Sequence, residues 1–207
     1  MSANPSSSTR RQRSGLGLVG SMKRTLDSGE FSDVQFTVGR CFGPVKAFDV
    51  HKHVLCQRSP VFYTMFYGSL PEKRQVIDIP DVLPDAFANM LSFLYTDTVD
   101  LRVDVVIQTL LCADKYEVPL LVDKCCEFVS TQLNTENCLI FLKNGVERRA
   151  EKIAESCLQF IDRSADDVIA LGDFAAVGKE MLEMILLRNT LSAEEHNMSV
   201  DLMKVHA

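Results

Sequence analysis

The run Asp33-Val34-Gln35-Phe36-Thr37-Val38 alternates polar with apolar residues, the two-residue period of a strand that buries one face. A turn region from Gly39 to Pro44 leads to Val45 to Val50, a second short strand, so the two read as a hairpin. A third strand-like segment, Gln75 to Ile79, sets Ile77 and Ile79 on either side of Asp78 and stops at Pro80. Around these the apolar period becomes that of helices. Phe87, Met90, Leu91, Leu94 and Tyr95 fall at i, i+3, i+4, i+7 and i+8. Val106, Ile107, Leu110 and Leu111 repeat the pattern, as do Leu121, Cys125, Phe128 and Val129. Pro84 and Pro119 suit the first turns of their helices.

Outward from this mixed segment the character changes at both ends. Residues 1 to about 20 contain Pro5, Ser6-Ser7-Ser8 and three glycines and have too little apolar content to fold, so order is expected to begin near Met22. The cluster Arg10, Arg11, Arg13, Lys23, Arg24 precedes the first acidic residue, Asp27. Such a start also suits a mitochondrial transit peptide, but it lacks an amphipathic apolar face and reads as a tail. Beyond Asn134 no strand signal returns. Ala150, Ile153, Ala154, Cys157, Leu158 and Ile161 mark one helix, and Met181, Leu182, Ile185 and Leu186 another. The expected organisation is a tail over 1–21, a mixed domain over 22–133 and a helical segment over 134–207.

The whole chain, 207 residues with 46% apolar and 24% charged, has the composition of an ordinary globular protein with room for one or two domains. Its net charge of -6, with the basic residues scattered, argues against nucleic acid as a partner. No apolar run reaches the ~18 residues of a spanning helix, and no secretory signal is legible, so the expectation is no membrane and a place in the cytosol or nucleus. Seven cysteines, an odd number without a CxxC, read as small apolar residues in a reducing compartment.

The ordered set Asp33 to Val38, Phe48-Asp49-Val50-His51-Lys52-His53-Val54-Leu55, Ser59-Pro60-Val61-Phe62, Met65-Phe66, Ile79-Pro80-Asp81-Val82, Phe93-Leu94-Tyr95-Thr96 and Ala113-Asp114-Lys115-Tyr116 resembles the BTB/POZ family. The resemblance covers about residues 25 to 133. Met65-Phe66-Tyr67-Gly68 and the long hairpin connection are most similar to members that continue into a helical BACK segment and then a PHR β-sandwich. Residues from about 134 look like the start of BACK, cut short after Leu191-Ser192-Ala193-Glu194-Glu195, with no β-rich substrate-binding domain following. Val50 stands where the family usually has Ala before the His.

This resemblance implies an α/β (α+β) unit, a small sheet covered by helices, followed by an all-α partial BACK segment. It implies a homodimer, or a heterodimer with another BTB protein, through Met22, Leu26 and Phe31 beside the helix that carries His53. It also implies recruitment of cullin-3 to a ubiquitin ligase through an apolar residue, any residue, then Glu, which Leu70-Pro71-Glu72 fits. An apolar anchor fills a partner groove, a carboxylate pairs at its edge, and Pro71 lowers the ordering cost. The alternative for this triplet is a solvated turn ended by Lys73 and Arg74. Asp33 and Lys52 match a charged pair in the groove where related domains bind corepressors; here they also suit a structural ion pair. The substrate protein is not named by any of these residues.

Other constellations are weaker. His53 and Cys56 are three apart on a helical segment, but no oxyanion turn or orienting acid accompanies them, and no catalytic role is expected. His196 and His206 lie far from His51 and His53, so no metal is expected, and no cofactor. Gly15, Gly17 and Gly20 spell GxGxxG inside a Ser-rich tail with no strand before it, a chance match. The competing classes are a ligase adaptor, a non-ligase scaffold for transcription or cytoskeletal partners, and a short form that interferes with longer BTB adaptors.

Overall fold

A computed structural model describes residues 16–170 and 178–188. Gly15, Leu191 to Glu195, His196, His206 and the side chain of Leu186 lie outside the described residues, as does the tail through residue 15. The chain divides into two compact units, 1–122 and 123–207. The division falls inside the helix Pro119–Gln132, and the boundary expected near residue 134 falls in the turn that follows it.

The first unit begins with α1 (Leu18–Ser28), then β1 (Val34–Val38), a 3-10 turn (Arg40–Phe42) and β2 (Lys46–Val50). The helices α2 (Lys52–Arg58) and α3 (Pro60–Tyr67) precede β3 (Val76–Ile79), and α4 (Pro84–Thr96), α5 (Val106–Lys115) and the start of α6 (Pro119–Gln132) follow. The sheet order is β2-β1-β3, with β1 antiparallel to β2 and parallel to β3. The alternation in β1 has the expected meaning: Val34, Phe36 and Val38 are buried, while Gln35 and Thr37 lie on the outer face. There Gln35 donates to Asp49 at 2.8 Å and Thr37 to Asp78 at 3.0 Å, so the wet face is a polar ladder across all three strands.

Aromatic rings fill the space behind the inner face. Phe36 meets Phe62 and Phe87 with ring centroids 5.6 and 5.5 Å apart, and Phe62 stacks on Tyr116 at 4.5 Å. Ser59, buried, caps α3 by accepting from the Phe62 N–H and donates its own hydroxyl to the Tyr116 carbonyl at 2.6 Å. The helix faces follow their periods. Phe87, Met90, Leu91, Leu94 and Tyr95 are all buried, and α4 packs on α1 and α5. Pro84 and Pro119 stand at the first helical positions.

The start of order differs from expectation. α1 begins at Leu18, four positions before Met22, on a segment without a proline, and the helix packs against α4. Met22 and Leu26 are half-buried; Leu18 and Val19 are exposed.

The second unit contains the rest of α6, then α7 (Cys138–Glu147), α8 (Glu151–Arg163), α9 (Ala165–Ala170) and α10 (Lys179–Leu186). All six apolar residues named for α8 and its flank, from Ala150 to Ile161, are buried. Gly145 of α7 allows close approach to α8, since a Cβ there would meet the Ala154 nitrogen at 3.2 Å. Arg188, just after α10, donates to both oxygens of Asp162 and to Glu155, tying the end of that helix to α8.

Candidate functional site

The loop after α3 is built from the end of that helix. At Gly68 a Cβ would lie 2.4 Å from the Thr64 carbonyl oxygen, so only glycine lets the chain leave at this angle. Four residues on, the Glu72 N–H donates to the Met65 carbonyl at 2.8 Å and pins the loop back on α3. Between these anchors Leu70 projects into solvent, 91% exposed. Glu72 is already engaged: its carboxylate accepts from the Arg74 N–H at 2.9 Å and from the Arg74 guanidinium at 2.6 Å. The side-chain bond from Arg74 is the main cause that holds the Glu72 carboxyl down at about 2. The turn and the anchor are therefore one object, with Arg74 ordering the loop that presents Leu70.

Leu70 is not alone. Tyr63 and Tyr67, one turn apart on the outer side of α3, are 57% and 59% exposed, with ring centroids 6.0 Å apart. Below Tyr63 opens a concavity of about 500 Å³ that also touches Pro60, Val118, Pro119 and Leu120. The sequence reading missed the two tyrosines. The signal was there: Phe62 and Phe66 share the buried face, which puts Tyr63 and Tyr67 on the other one.

The expected charged pair has a different geometry. Asp33 reaches Lys52 through the backbone, accepting its N–H at 2.8 Å and so capping α2, while the Lys52 ammonium lies 5.1 Å from the centre of the Phe66 ring. No salt bridge joins Asp33 to Lys52 among the described residues. Asp33 is exposed and Lys52 half-buried, so the pair is not the buried charge pair whose one-sided loss would unfold the domain.

His51 is a tie between elements. The Tyr95 hydroxyl oxygen accepts the His51 backbone N–H at 2.9 Å and lies 2.8 Å from its Nδ1; Nε2 is 2.8 Å from the Glu30 carbonyl. A carbonyl can only accept, so Nε2 carries the proton, and the Tyr95 O–H donates to Nδ1. Burial pushes the Tyr95 hydroxyl up to about 12, which keeps it a donor. The next residue, Phe31, holds a φ of 68° with its ring 84% exposed. Met22 and Leu26 lie half-buried on α1, while His53 is exposed on α2.

His53 and Cys56 are not joined by a hydrogen bond; the Cys56 thiol instead donates to the Phe62 carbonyl, and burial raises its pKa. No cluster of three or more metal-ligating side chains exists among the described residues. All seven thiols are free. Burial raises Cys125 and Cys157 to about 12, whereas Cys41, contrary to the reading of buried small residues, is exposed on the hairpin turn.

Comparison with known proteins agrees with this architecture. Residues 22–133 match the BTB/POZ domain family. BTB/POZ domain-containing protein 6 of Mus musculus is 37% identical over 164 residues, covering 79% of this chain and 30% of that protein. The protein of the same name from Xenopus tropicalis and BTB/POZ domain-containing protein 3 of Homo sapiens are each 38% identical over 164 residues, 79% of this chain and 31% of theirs. The chain thus spans under a third of the length of these relatives.

Proposed function

Because the chain belongs to the BTB/POZ family, whose domains are protein-interaction modules, we propose that it is a dimeric adaptor that recruits cullin-3 to a ubiquitin ligase. The observation that carries this reading is Leu70, thrust into solvent from a loop fixed at both ends that follows the helix bearing the exposed rings of Tyr63 and Tyr67. An apolar anchor held in place before binding loses little freedom on docking, and aromatic neighbours are the residue type that dominates contact energy. The Arg74 to Glu72 pair is solvent-exposed on the arginine side, so Glu72 exchanges to a partner at small cost.

Pairing of two copies is supported by Phe31. A bulky residue in the left-handed region is strained, and its ring is left largely in solvent; with exposed Leu18 and Val19 it supplies apolar surface for a second copy. The helices beyond residue 134 serve in this reading as the start of a BACK-like segment, and the free thiols fit work in the reducing cytosol.

The test is titration of the cullin-3 N-terminal domain into the full chain. Leu70→Asp and Glu72→Lys each weaken binding more than tenfold, about 1.4 kcal/mol, while thermal stability changes little. Equal affinity for wild type and both variants, or no binding at micromolar concentrations, removes the adaptor reading in favour of a non-ligase scaffold.

A further inference from the structure

A second surface lies along the free edge of the sheet. β1 occupies the centre, so among the described residues β2 has one neighbouring strand. The Gln35 N–H bonds the Gln75 carbonyl and the Gly39 N–H the Ile79 carbonyl, so the odd-numbered residues of β1 turn their backbone groups toward β3 and the even ones toward β2. Asp49 and Ala47, paired with Gln35 and Thr37, therefore direct their N–H and C=O groups away from the sheet. No hydrogen bond reaches these four groups among the described residues. Beside them runs a groove of about 370 Å³, walled by Leu26 of α1, Phe48 of β2, and Ala88 and Leu91 of α4.

The charges at the rim are unevenly satisfied. Lys23 pairs with Asp27 within α1, and Asp49, on the opposite face of β2 from Lys46 and Phe48, accepts from the neutral Gln35 amide. Lys46 has only the face of the Phe48 ring, 5.3 Å away, and meets no carboxylate among the described residues. A bare edge, an apolar trough and, on the trough's face of the strand, an ammonium without a carboxylate together specify a complementary ligand. We propose that the β2 edge receives an extended peptide segment of a partner protein, adding as a fourth strand, with apolar side chains in the trough and an acidic residue opposite Lys46. Strand addition supplies affinity through the four outward backbone groups, and alternate side chains supply selection. The groove shares no residue with Tyr63, Tyr67, Leu70 or Glu72, so an adaptor could hold this segment and cullin-3 together.

The probe is a capped hexapeptide with threonine at every second position and two valines and a glutamate between them, so that the acid and the apolar residues share one face; it is titrated into the full chain to about 1 mM, the weak end of measurable affinity. Amide signals of Ala47 and Asp49 shift and their hydrogen exchange slows. N-methylation of the probe on its bonding edge abolishes this. Lys46→Glu weakens the glutamate probe about tenfold and reverses the preference toward a lysine-containing counterpart. Leu70→Asp changes none of these readings, which separates a failure here from a failure of the cullin contact. Unchanged exchange at Ala47 and Asp49, equal binding of the N-methylated probe, or a probe-independent mass showing two copies joined through β2 overturns the proposal.

Discussion

Removing one oxygen, Tyr95→Phe, isolates the tie at His51. The substitution keeps the ring that packs in α4 and deletes a hydroxyl that takes part in two bonds, to the His51 N–H at 2.9 Å and to Nδ1 at 2.8 Å. At about 1 kcal/mol each, with part of the desolvation cost of the orphaned N–H added, the loss comes to about 2–3 kcal/mol. His51 is half-buried, so water relieves some of that cost and the lower end is expected. With a urea dependence of about 2 kcal/mol per molar, the unfolding midpoint falls by about 1 M while the slope is unchanged. The assay is urea unfolding of wild type, Tyr95→Phe, His51→Ala and the double variant. Because both singles break the Nδ1 bond while only Tyr95→Phe removes the acceptor of the backbone N–H, their effects are not fully additive, with a coupling of about 1 kcal/mol. A midpoint shift below about 0.2 M, or additive effects, would show that the histidine is held by packing alone and refute the hydrogen-bond account.

Four further outcomes follow from the geometry. Phe31→Gly relieves a positive φ of 68° and makes the isolated subunit about 1 kcal/mol more stable, while light scattering shows a weaker dimer; a variant that loses stability and keeps its dimer contradicts the assignment. Gly68→Ala, with a Cβ 2.4 Å from the Thr64 carbonyl, costs about 1–3 kcal/mol in thermal unfolding, and a neutral result would mean the loop moves freely. The Glu72 carboxyl, held at about 2 by Arg74, has a folded value below its unfolded one. Its contribution is therefore complete above the ordinary carboxylate range and lost as pH falls through about 2; carboxyl carbon shifts should show it still ionised at pH 3.5. At neutral pH a thiol reagent labels exposed Cys41 first and leaves Cys125 and Cys157 intact in the native protein, which mass spectrometry after short exposure reports.

Periodicity alone assigned the three strands and most helix faces, because alternation and the 3.6-residue stripe are local properties that a burial boundary imprints directly on neighbouring residues. Val34, Phe36 and Val38, the α4 stripe and the α8 stripe are buried as their spacing requires. Leu70-Pro71-Glu72 is marked by the family resemblance and not by periodicity, since three residues of a loop carry no period. What periodicity does not encode is which distant segments meet. The central place of β1, parallel to a β3 strand some forty positions away, rests on the Thr37 to Asp78 bond and its neighbours, contacts that leave no mark on either local pattern. Only the folded chain shows Asp33 capping a helix through a backbone amide, His51 linking Tyr95 to the Glu30 carbonyl, and Arg74 turning back on Glu72. Charged and polar side chains choose partners by the positions the packed core gives them, at distances of about 3 Å that sequence spacing does not set. The core was written in the order of its residues; the surfaces available for partners were decided by what the core brought together.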